Sequence, residues 1–140
     1  MNKLNRILTA LITVFCIALT PLTVSANKNS DLINDLNNYA TNDENSDFDK
    51  VQIKGKDLIV YISDDYVETV DDYGLESYLQ DTYKQVNKFQ KKNNTKLSVV
   101  FRDKASGVFA KSSHSGKGWY KSLGSDGDKN DFNFKTGEVE

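Results

Sequence analysis

The chain has 140 residues, with 18 Lys and Arg against 20 Asp and Glu, one His and one Cys. One cysteine excludes an internal disulfide framework and a thiolate zinc site. One histidine leaves carboxylates as the only other ligands for a metal.

The first 26 residues have the layout of a cleavable export signal. Lys3 and Arg6 form a positive start, an apolar run follows from Ile7 to Leu22, and Val24-Ser25-Ala26 puts small residues at a cleavage site. The run is short for a membrane span of about 20 residues, and Pro21 would break a spanning helix. Cys16 sits inside the run behind the bulky Phe15, which argues against lipid attachment. The expected product is a secreted, extracellular or envelope-associated protein of residues 27–140, with no further membrane span. A composition rich in Asn, Asp and Lys fits a bacterial source of low GC content. Such a chain is one domain, long enough to bury a core without staples.

A short helix is predicted over residues 30–40, where Leu32, Leu36 and Tyr39 recur at helical spacing. It lies in a segment, 27–47, that ends in a polar linker. The core domain is expected over 48–124. Phe48, Val51 and Ile53 lead through the turn at Gly55 into Leu58–Ile62, a β-hairpin. The second strand is apolar at every position, which predicts a central strand covered on both sides. From Asp72 to Lys92, Leu75, Leu79, Thr82, Val86 and Phe89 fall on one stripe of a long amphipathic helix. Acids at its start and lysines at its end match the helix dipole, and Asn93-Asn94 can close it. Leu97, Val99 and Phe101 alternate as a strand. Residues 107–111 return from a turn, and Trp119-Tyr120 suggests one strand more. Residues 125–140 are rich in Gly, Asp and Asn and read as a polar tail with a fraying end. The fold class is α+β, in the order α-β-β-α-β-β, with a small antiparallel sheet and one long helix on one face. That outline is shared by many small domains and transfers no function.

Charge is segregated along the chain. Residues 31–83 hold 14 acids and 3 bases, whereas residues 84–121 hold 10 bases and the single acid Asp103. The basic block defines a candidate polyanion site: Lys84, Lys88, Lys91, Lys92, Lys96, Arg102, Lys104, Lys111, Lys117, Lys121 and the only tryptophan, Trp119. Lysines pair with phosphates and aromatic rings stack on bases. The partner expected on this reading is an anionic envelope polymer or nucleic acid. The competing account is that the acidic and basic halves neutralise each other within the fold.

Other chemistry is weaker. His114 lies between Ser113 and Ser115, but adjacent residues of an extended loop point apart, so the three do not make a nucleophile and base. Asp126, Asp128 and Asn130 resemble the start of a calcium loop, the only cofactor hint. Position 6 is then Asp131 instead of Gly, and position 12 is Gly137 instead of Glu. Asp64, Asp65, Glu68, Asp71 and Asp72 cluster before the long helix and offer carboxylates for a small hydrolase, or simply a cap. Tyr39, Tyr61, Tyr66, Tyr73, Tyr78 and Tyr83, if exposed together, or the acidic hairpin, would mark a face for a protein-binding or inhibitory module. The reading favoured is a non-catalytic binding protein, and its most specific form is contact with an anionic partner through the basic block.

Overall fold

The computed structural model describes residues 26–139, apart from 45, 63–70, 105–106 and 124–126. Residues 1–25 of the export signal, with Cys16, and Tyr66, Asp64, Asp65, Glu68 and Asp126 lie outside the described residues. No helix among those described is long and apolar enough to cross a membrane.

Among the described residues, two helices pack on a seven-stranded mixed sheet. Helix α1 covers residues 26–42, longer than the predicted 30–40, and carries Leu32 and Leu36 fully into the core. Strands β1 (Lys50–Lys54) and β2 (Asp57–Tyr61) form the predicted hairpin. Gly55 makes its turn at φ +63°, a conformation that a side chain disfavours. Helix α2 spans Asp72–Lys92, as its periodicity predicted. Asp71 caps it by accepting the Gly74 N–H at 2.8 Å, and Asn94 follows it in left-handed geometry. Strands β3 (Ser98–Arg102), β4 (Val108–Ser112), β5 (Lys117–Lys121), β6 (Lys129–Asn133) and β7 (Glu138–Val139) complete the sheet, whose spatial order follows the chain.

Three expectations are corrected. The sheet is mixed, not antiparallel, because β2 pairs with β3 in parallel. A helix placed between two strands carries the chain back to its starting end, so the next strand runs the same way. The sheet is also larger than expected, since residues read as a polar tail form β6 and β7. Phe132 and Phe134 are almost fully buried there. Burying a phenylalanine stabilises by roughly 1.5–3 kcal/mol, enough to help order a segment otherwise rich in polar residues. Finally, β2 is covered on one side only. Leu58 and Val60 are buried under the helices, whereas Ile59 and Tyr61 are half-buried on the opposite face, where no described helix lies.

The register explains this two-sidedness. Val51, Val60, Phe101, Ala110 and Tyr120 form one cross-strand row, and Leu58, Val99 and Ser112 another, all facing the helices. They join Leu32, Leu36, Leu75, Leu79, Tyr83 and Val86 in one core. A register shift between Phe101 and Arg102 lets both Phe109 and Ala110 turn inward. Phe134 sits at the centre of the aromatic set. It stacks on Phe101 at 5.7 Å, meets Phe132 edge-on at 4.9 Å and touches Tyr83 at 5.8 Å.

Polar side chains close the ends of this core. At the β1 edge, Asn37 accepts the Val51 N–H at 2.8 Å and donates to the Val51 carbonyl at 3.4 Å, occupying groups that another strand would seek. Buried Gln90 likewise accepts the Leu97 N–H at 2.6 Å and donates to the Leu97 carbonyl at 3.1 Å, fixing the turn from α2 into β3. The Thr82 hydroxyl is buried in the apolar stripe with no hydrogen-bond partner.

Replacing Phe134 by Ala should therefore cost about 3–5 kcal/mol of unfolding free energy, read by chemical denaturation. Thr82→Val should be neutral or stabilising, because it removes an unpaired buried hydroxyl at nearly constant shape. Alkaline titration gives a second check. Burial raises the hydroxyl pKa of Tyr120, reinforced by its hydrogen bond to Glu76 at 2.5 Å and by the nearby charges of Glu76 and Asp72. Burial also raises Tyr83, opposed by the Ser112 hydroxyl. The unfolded chain loses these protons first, near pH 10. The stability they confer is complete below that pH and is lost as pH rises through the folded values. Tyrosinate absorbance should show two tyrosines released only with unfolding.

A lysine-lined groove as candidate functional site

The candidate basic block does not form one surface. Lys84, Lys88 and Lys91 recur at successive turns on the outer side of α2, and Lys96 follows in the loop to β3. Arg102, Lys111, Lys117, Trp119 and Lys121 lie on the sheet face turned away from the helices. Lys104 stands in the turn between β3 and β4. Lys92 points toward α1, where it pairs with Asp35 at 2.9 Å.

Four of these lysines meet residues that the sequence reading left out. Two adjoining clefts, about 290 and 420 Å³, run along the C-terminal half of α2 and share Asn87, Lys91 and Lys135. The first is also lined by Asn94, Thr95, Lys96 and His114, the second by Tyr83, Lys84 and Lys88. Together they form one groove with five lysines and the only histidine. No described lining residue is acidic. The helix dipole accounts for lysines in the last turn of α2. It does not account for Lys96, His114 and Lys135, which arrive from three separate loops.

Local packing places those loops. Strands β3, β4, β5 and β6 bring the α2–β3 loop, the β4–β5 turn and the β6–β7 turn to one end of the sheet. The Tyr83 hydroxyl donates to the His114 carbonyl at 2.9 Å, tying the β4–β5 turn to α2. Gln80 donates to the Lys135 carbonyl at 3.1 Å, tying the β6–β7 turn to the same helix. The Phe134 N–H donates to the Gly116 carbonyl at 2.8 Å and joins the two turns. Gly116 has φ +98°, and the stem of Lys135 lies across it. A Cβ there would come within 2.7 Å of the Lys135 Cγ.

The open sheet face is a different environment. Trp119 is half-buried, with the Lys129 ammonium 4.2 Å from its ring centroid. Directly opposite it on the neighbouring strands stand Lys111 and Asp131. Lys111 pairs with Asp57 at 3.2 Å, so acids are interleaved among these bases. The ion pairs Lys92–Asp35 and Lys111–Asp57 both join the acidic and basic segments of the chain, and in those places the two halves do attend to each other.

The remaining candidates are dispersed. Ser113 and Ser115 bond each other at 2.7 Å, and Ser113 also donates to the Lys117 carbonyl at 2.9 Å, so both hydroxyls serve the turn around His114. Asp71 is occupied as the cap of α2, and Asp72 accepts the Leu123 N–H at 2.9 Å. Asn130 donates to the Ser122 hydroxyl at 2.7 Å. No group of three or more His, Cys, Asp or Glu poised for a metal occurs among the described residues. Tyr78 and Tyr83 are buried, Tyr39 and Tyr61 are half-buried, and Tyr73 is 81% exposed, so the described tyrosines share no common exposed face.

Lys135 and the ordered turn that holds it fall in 125–140, whose polar composition predicts a tail. The alternation of Phe132 and Phe134 was the signal of a buried strand end. Gly116→Ala should push the Lys135 stem off the turn and strain a backbone that favours glycine, costing roughly 1–3 kcal/mol. The expected signature is lower stability by denaturation, with amide shifts by NMR confined to the β4–β5 and β6–β7 turns.

No family model, curated protein or solved structure matches this chain.

Proposed function

We propose that this is a non-catalytic binding protein that holds an anionic polymer in the groove beside α2. The observation that carries this reading is the convergence of five lysines and His114 from four segments of the chain, with no acid among the described lining residues. Like charges gathered in this way repel one another, and an anion entering the groove relieves that repulsion. A fold that only needed solubility could spread its lysines over the surface or pair them with the many acids of residues 31–83, as it does for Lys92 and Lys111. An exported protein would meet phosphate-bearing envelope polymers and released nucleic acid, both of which suit such a groove.

Two triple variants separate the groove from the sheet face. A labelled anionic polymer is titrated into each and followed by anisotropy over a range of salt. Lys84→Gln, Lys88→Gln, Lys91→Gln should weaken binding and reduce the slope of log K against log salt by roughly 2, from the loss of three cationic contacts. Lys111→Gln, Lys117→Gln, Lys121→Gln should leave the slope nearly unchanged. The reverse pattern would move the site to the sheet, and absence of binding at low salt would end the proposal. Trp119 fluorescence should respond little, since that ring lies on the other face of the sheet.

A further inference from the structure

We infer that the groove takes a linear phosphodiester chain by its backbone charge, without contribution from bases. This rests on the anion-binding reading above and deepens it by choosing between the two polymer classes that charge alone leaves together.

Single-stranded nucleic acid is ordinarily held by a basic track combined with exposed rings, and each stacked base contributes about 1–3 kcal/mol. The groove has the track but no exposed Trp, Tyr or Phe ring among its described lining. Tyr83, the only Phe, Tyr or Trp among its described lining, is 1% exposed, its ring packed on Phe134 and its hydroxyl donating to the His114 carbonyl, which leaves the small imidazole of His114 as the one exposed ring there. Trp119, the residue best suited to stacking, faces the opposite side of the sheet with Lys129 over its ring. Trp119 is therefore not part of the groove's described lining. Charge and stacking, adjacent in the sequence, are separated by the thickness of the sheet.

The form of the groove suits a repeating tetrahedral anion. Lys84, Lys88 and Lys91 repeat at about 4.5–6 Å along the helix axis, from a rise of about 1.5 Å per residue. Lys96 and Lys135 come from loops beside the helix, not from the helix itself. A phosphodiester carries one charge over two free oxygens and can be shared by ammonium groups on two sides. The lining cations are all lysines, which act as mobile point charges on phosphate. The planar, two-point fork of arginine, which suits carboxylate and phosphate alike, is absent from the described lining, and Arg102 is on the other face. Asn87 and Thr95 add neutral polar groups between the cations. The occupant that fits is a flexible polyphosphoester such as a poly(glycerol phosphate) chain.

The test compares three probes of equal charge number on residues 27–140. They are an abasic phosphodiester oligomer, an oligothymidylate of the same backbone, and polyglutamate. The abasic oligomer should bind within about threefold of oligothymidylate, and polyglutamate should bind several-fold more weakly. Lys135→Gln, added as a second groove variant, should weaken both phosphodiesters alike, and Trp119→Leu should affect neither. An oligothymidylate advantage of tenfold or more that Trp119→Leu abolishes would overturn the inference in favour of nucleic acid on the sheet face. Equal binding of polyglutamate would overturn the phosphate assignment while leaving a groove for anions. If no probe binds, or the groove lysines do not matter, the anion-binding reading itself has failed.

Discussion

The burial of one sheet face beneath two helices is the constraint on which the rest of this structure depends. Rows such as Val51, Val60, Phe101, Ala110 and Tyr120 run across five strands with their side chains on one side, against Leu32, Leu36, Leu75, Leu79 and Val86. Because side chains alternate along a strand, committing one row to the core commits its neighbours to the other face. Lys111, Trp119 and Arg102 are therefore on the open side by geometry, irrespective of what they bind. The bulge at Phe101/Arg102 is a local exception that gains Phe109 for the core.

The same constraint builds the groove. Once α2 lies along the apolar face, its outer side carries Lys84, Lys88 and Lys91 on successive turns. The strand order then brings three turns to one end of the sheet beside those lysines. The hydrogen bond from Tyr83 is made by a residue that also packs in the core, so stability and site share a support. Phe134 links the two functions most directly. It is fully buried among Phe101, Phe132 and Tyr83, and the next residue is Lys135 in the groove.

Charge segregation along the chain has two outcomes in space. Where acidic and basic segments touch, pairs form, as between α1 and the end of α2 and between β2 and β4. Exposed pairs of this kind contribute up to about 1 kcal/mol each and mainly shape the local field. Where the basic segments meet one another, no acid lines the groove among the described residues, and the positive charge stays concentrated. A block count of charge contains both outcomes and distinguishes neither.

Local periodicity was enough to determine α2 to its ends, the hairpin at Gly55 and the alternating strands from Leu97 to Tyr120, because those signals depend on a few neighbouring residues. It also marked Lys84, Lys88, Lys91 and Lys96 as members of a basic block. Tertiary structure alone decided three things. The parallel pairing of β2 with β3 depends on where α2 returns the chain. The order of β6 and β7 depends on aromatic partners far away in sequence, which outweigh the polar composition of the segment. The split of the basic block into a groove and a sheet face, and the recruitment of His114 and Lys135 to the groove, depend on which strands lie side by side. Charge adds along a sequence, but a binding site requires charges to converge, and convergence is a property of the packed chain.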